Sequence, residues 1–200
     1  MEPCTECLKN EYKVVYEMAD KIINNLETGR KNYVFFDSGN KVRVSVTPTA
    51  SKWSAAYYPE VMGLGRLLRF NYKTFKLYHK AQVSSKRKFK WAIRQLLVHE
   101  LTHYWQDVTQ NWTPRNYTIH GARVSSYLRH ADEVEAISQE IIFAKKRYGN
   151  KKTVRQLVEE YIQEVWGKQI PKDEYDSLID DYVHECECAM KENKFKFDKL

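Results

Sequence analysis

Nowhere does this chain approach eighteen consecutive apolar residues, so no helical membrane span is expected. Its first residues, "MEPCTECLKNEYK", lack the charged-then-apolar layout of a secretory signal. Cysteine is scarce, with four in 200 residues, and in the reducing cytoplasm that these absences imply they are thiols or metal ligands rather than disulfides. Internal repeats and low-complexity segments are also missing. Acidic residues vanish between Asn71 and Arg94, where Lys73, Lys76, Lys80, Lys86, Arg87, Lys88, Lys90 and Arg94 stand. From Lys152 to Met190 the balance reverses, with ten acidic residues against four basic ones. Two solvated faces of opposite sign would explain this, as would a surface for nucleic acid or an acidic partner along Lys73–Arg94.

What is present is a foldable chain. Hydrophobic residues make up 42% and aromatic residues 14%, far from a disordered composition. The length suits one domain, or one domain with an appended helical lobe.

Val14, Val15, Met18, Ile22 and Leu26 recur at helical spacing before Gly29, which predicts a first helix over about 11–28. "YVFF" and "KVRVSVT" flank "DSGN" as a β-hairpin, with Val42, Val44 and Val46 on one face. The stretch "TPTASKWSAAYYPEVMGLG" reads as turn-rich, and "RLLRFNYK" after it as a third strand. From about Ser85 to Thr109 the pattern is helical, with Phe89, Ile93, Leu97, Leu101 and Tyr104 on one side, until "TQNWTPRN" breaks it. Further helices are expected near 131–148, 152–167 and 172–190, the last two opened by Thr153 and Pro171. Strands first and helices afterwards predict an α+β fold: a small twisted sheet packed on the 85–109 helix, followed by a helical C-terminal part. We read residues 1–150 as one domain and 151–200 as a helical extension packed on it.

Histidine is nearly as scarce as cysteine, six in all, yet two stand four apart in "LLVHELTHYW". Residues i and i+4 share a helix face, so His99 and His103 can turn ring nitrogens to one ion. Glu100 lies about 100° further round, able to reach a water on that ion without binding it. Zinc brings the pKa of such a water towards ~7, and an adjacent carboxylate can take its proton as it attacks a carbonyl. In a random chain of this composition the pattern would occur roughly 0.015 times. Two histidines and a glutamate merely buried in a core would be costly without such a use.

His99-Glu100-Leu101-Thr102-His103 resembles the HExxH signature of the zincin metallopeptidases. That resemblance, over about residues 61–145, implies a zinc-dependent peptidase acting on peptide or protein substrates. It assigns His99 and His103 as metal ligands and Glu100 as the general base. It further implies an edge strand above the active helix, a place that "GRLLRFN", Gly65 to Asn71, occupies. The metzincin subclass is excluded, because Gln106 and Thr109 stand where it requires glycine and histidine.

A catalytic zinc needs a third protein ligand. "EAIS", from Glu135 to Ser138, resembles the gluzincin pattern in which a glutamate followed by alanine completes the site, and Glu135 is our choice. Gln139 stands where that group places a second-shell aspartate. Asp132 and Glu135 have the spacing of a capping box, the rival reading for that glutamate. Glu133 is an alternative nearer the Val134/Ile137/Ile141 stripe, with Asp132 beside it. His120, in "HGARVSSY", resembles the third-ligand segment of SprT/Spartan-type proteases, which act on nucleic-acid-associated protein. Tyr117, His120, Tyr127 and His130 are available as oxyanion donors.

Cys4 and Cys7 near one end, and Cys186 and Cys188 near the other, could form a structural metal site if the last helix ends before Cys188. On a regular helix those last two lie about 200° apart. Two other classes stay open: a metal hydrolase with a non-peptide substrate, and a non-catalytic basic nucleic-acid-binding protein with structural zinc.

Overall fold

Val42 and Val44 are fully buried, Lys41 is exposed, and Arg43 and Ser45 are half-buried in the computed structural model. That period of two is a strand with one covered face. The structure describes residues 15, 17–25, 27–30, 32–37, 40–47, 55–58, 65–71, 83–110, 124–167 and 169–192. Over these the chain divides into two compact units, one within Val14–Pro114 and one within Arg115–Leu200.

The first unit holds a four-stranded mixed sheet. Its strands are β1 (Asn32–Asp37), β2 (Asn40–Thr47), β3 (Ala55–Tyr58) and β4 (Arg66–Asn71), in the order β1-β2-β4-β3. β1 and β2 form the expected hairpin, antiparallel with Asp37 opposite Asn40. β4 runs parallel to β2, and β3 runs antiparallel to β4 with Tyr57 opposite Leu68. Two expectations are corrected here. β3 lies in the stretch read as turns, and β4, expected at the sheet edge, is interior because β3 covers it.

Two helical elements accompany the sheet. The first, α1, is helical at 15, 17–25 and 27 and buries Val15, Met18, Ala19, Ile22 and Ile23. The second, α2 (Val83–Gln110), buries Ile93, Leu97, Leu101 and Tyr104 of the expected stripe, and the Phe89 side chain lies outside those described. Each such aliphatic side chain taken out of water contributes about 1.5–3 kcal/mol. Arg94 pairs with Asp20 at 2.7 Å and Lys90 with Glu27 at 2.9 Å, joining α1 to α2. Two cations of the basic stretch are therefore matched by acids of the same unit.

The second unit is helical: α3 (Val124–Leu128), α4 (Ala131–Tyr148), a 3-10 turn (Gly149–Lys151), α5 (Val154–Val165) and α6 (Lys172–Glu192). Ile137, Ile141, Leu157, Val158, Ile162, Leu178 and Tyr182 share one core, so the helices on either side of residue 150 pack together. The buried Tyr182 hydroxyl donates to the Leu128 carbonyl at 2.7 Å, which satisfies the one polar atom that side chain brings inside. Among the described residues no helix is long and apolar enough to cross a membrane.

Candidate metal centre

A 28-residue helix, α2, carries the histidine motif. His99 and His103 lie one turn apart, with ring centroids 4.9 Å from each other and planes at 84°. His103 is buried and His99 half-buried. The motif's other polar residue, Thr102, is fully buried and donates to the Val98 carbonyl at 2.8 Å, so it makes no demand on the site.

His103 Nδ1 lies 2.8 Å from Gln106 Oε1. An amide oxygen only accepts, so Nδ1 carries the hydrogen and Nε2 keeps its lone pair for a metal. Gln106 is wholly buried, which holds that carboxamide in place.

Glu100 is also buried, and its Oε2 accepts the backbone N–H of Tyr57 at 2.8 Å. Tyr57 belongs to β3, the edge strand, so the base lies beside that edge. The Tyr57 hydroxyl donates to Asp107 Oδ2 at 2.7 Å, and its ring meets Tyr104 edge-on at 5.9 Å. Arg66 Nε, on β4, donates to the same Asp107 oxygen at 2.5 Å. Burial first, and then the Asp107 carboxylate, push the Tyr57 phenol well above its ordinary range, which keeps it a donor.

One ligand atom each from His99, His103 and Glu133 lies within 4.8 Å of the other two. Glu133 is a buried residue in the first turn of α4. Among the described residues no other group of His, Cys, Asp or Glu meets in this way. Two imidazoles at i,i+4 and a distant carboxylate are the ligand set and spacing of an HExxH-type zinc site.

Glu135, our expected third ligand, is not in that group; the alternative, Glu133, is. The two lie about 200° apart on the helix. Glu133 shares its face with Ile137 and Ile141, both buried, whereas Glu135 is half-buried. Nor do Asp132 and Glu135 form a capping box, since the N-cap of α4 is His130 and no side chain caps it. Asp132 lies instead 3.4 Å from His130 Nδ1. Of the oxyanion candidates, Tyr127 packs on Trp166 at 5.7 Å between ring centroids. Tyr117 and His120 lie outside the described residues, as do Cys4 and Cys7.

The remaining cysteines are both free. α6 continues through them to Glu192, so they do not share a face. Cys186 is fully buried, its thiol 3.9 Å from the Ser138 carbonyl. Cys188 Sγ lies 3.6 Å from His184 Nε2.

Sequence reasoning missed Gln106, Tyr57 and Asp107. For the helical pair a signal existed: Gln106 follows His103 by three, and Asp107 follows Glu100 by seven, two turns along one face. Tyr57 left none, because its strand went unrecognised. In comparisons with known protein families, curated proteins and solved structures, the chain matches none.

Proposed function

We propose that this protein is a zinc-dependent hydrolase that cleaves peptide bonds. The observation that carries the reading is the meeting of His99, His103 and Glu133, with Glu100 adjacent to the first histidine in sequence. These donors suit zinc: two neutral imidazoles and one carboxylate, with a fourth position left to water or substrate. Zinc bound there would act as a Lewis acid, polarising a carbonyl and making water acidic near neutral pH.

The chain's own residues have separate tasks. Gln106 fixes the tautomer of His103. Tyr57 N–H holds Oε2 of Glu100, leaving Oε1 to take a proton from the attacking water and return it to the leaving amine. A peptide, rather than another acyl compound, is favoured by β3: an edge strand presents backbone donors and acceptors to an extended chain, and Glu100 lies beside it.

Elemental analysis of the purified protein, beside Glu133→Ala and Glu135→Ala, tests the site. We expect about one zinc per chain in wild type and in Glu135→Ala, and little in Glu133→Ala. Glu100→Gln should keep its zinc and lose cleavage of a mixed peptide library by at least about 100-fold. Zinc unaffected by Glu133→Ala would remove the third ligand. A Glu100→Gln variant as active as wild type would end the hydrolase reading.

A further inference from the structure

We infer that Tyr57 and Asp107 are positioning residues for Glu100, forming a clamp that seats β3 on α2 and dictates which oxygen of the base is presented. The inference rests on the hydrolase reading and deepens it.

β3 has four residues and, among the described residues, stands at the sheet edge, paired through β4 alone. Short edge strands sit at the low end of local stability. Yet the donor that holds Glu100 is a backbone group of this strand, so the base can be no better placed than β3 itself. Tyr57 meets α2 three times: its N–H at Glu100, its ring edge-on to Tyr104, and its hydroxyl at Asp107. Glu100 and Asp107 are seven residues apart, so one side chain and its own amide span two turns of the active helix. Asp107 also accepts from Arg66 on β4, and the edge strand and its neighbour are thereby pinned to a single carboxylate. A carboxylate held at one oxygen presents the other in a fixed direction, and proton transfer depends steeply on such placement. The Tyr57 hydroxyl and the Asp107 carboxylate engage each other rather than a substrate, so the loss of either should fall on turnover rather than on binding.

The test uses the zinc-loaded full chain. Tyr57→Phe keeps the ring and removes only the hydroxyl, Asp107→Ala removes the acceptor, and Asp107→Asn keeps one. We expect Tyr57→Phe and Asp107→Ala to retain wild-type zinc content, with KM within about twofold and kcat roughly 10- to 100-fold lower. The double variant should fall no further than either single one, because both break the same device. Asp107→Asn should return kcat to within about threefold of wild type. Wild-type kcat in Tyr57→Phe would overturn the inference, as would a loss confined to KM or to zinc content.

Amide hydrogen exchange at Tyr57 separates this inference from the reading beneath it. If wild type at full zinc occupancy cleaves no peptide, the hydrolase reading fails and exchange alone decides the clamp. Faster exchange of that amide in Tyr57→Phe and Asp107→Ala upholds it, and unchanged exchange overturns it.

Discussion

Gln106 sets the direction of His103, and a buried carboxamide does so without adding charge. A ligand histidine whose outer nitrogen loses its partner can rotate or change tautomer, and such losses cost about 10- to 100-fold in metal affinity. Gln106→Ala is therefore expected to weaken zinc binding by that factor in competition with a chromogenic chelator. Gln106→Glu, which also accepts from Nδ1–H, should restore most of it. If Gln106→Ala binds zinc as wild type does, Gln106 is core packing and nothing more. Legibility at this scale follows distance along the chain. His99, Glu100 and His103 could be read because a helix alone relates them. The choice between Glu133 and Glu135 could not, because the two differ by more than half a turn on one helix, and helical spacing alone does not say which of them would meet the histidines. A resemblance to a four-residue pattern pointed to Glu135; the apolar stripe of Ile137 and Ile141 pointed to Glu133.

Elements show the same division. Thr153 was legible as a helix start, and it closes a reciprocal capping box: Gln156 N–H donates to its Oγ1 at 3.1 Å, and its own N–H donates to Gln156 Oε1 at 2.9 Å. Thr153→Ala takes away the Oγ1 that accepts the Gln156 N–H and should lower stability by about 1 kcal/mol, read as a shift in the urea midpoint. Thr153→Asp, which still accepts from the Gln156 amide and adds negative charge at the helix start, should lose less than half of that. An alanine variant with the wild-type midpoint would show that α5 is held by Leu157, Val158 and Ile162 alone. β3 was not legible. "AAYY" has no β-branched residue and follows a proline-bearing stretch, so its strand state comes from pairing with β4 and from Tyr57's contacts with α2. The misplacement of the sheet edge has the same origin: adjacency in sequence does not specify order in a sheet, and four unrecognised residues displaced β4 from the edge.

Across the whole molecule, strands before helices were enough to read the α+β class, while the molecule's response to pH had to await burial. Among the neutral acids whose pKa burial raises are Cys186, Tyr57 and Tyr182. Burial pushes the Cys186 thiol from an ordinary 9.0 up to about 12, and burial likewise leads the upward shifts of Tyr57 and Tyr182. Tyr57 lies in the strand-bearing unit and the other two in the helical one, so alkali acts on both. An acid whose folded pKa lies above its unfolded one is protonated longer in the native state. Stability then falls with pH wherever the unfolded chain has released protons that the folded chain retains. For Cys186 the contribution is complete below pH 9 and declines from there to about pH 12; the tyrosines add to the loss from their ordinary 10.0 upward. Half-buried Lys146, lowered by burial from 10.5 to about 8, works the other way up to its ordinary value. Thermal unfolding followed by circular dichroism should therefore give a midpoint that holds up to about pH 10 and falls increasingly above it, where the tyrosines join Cys186. Cys186→Ala should start from a lower midpoint, because a side chain is missing from a packed core, yet close part of that gap between about pH 9 and 10, before the tyrosines dominate. A constant gap between the two proteins over that range would mean that Cys186 ionises as readily inside the helical core as outside it. Its burial on α6 beside Ser138 of α4 would then count for nothing in the alkaline response.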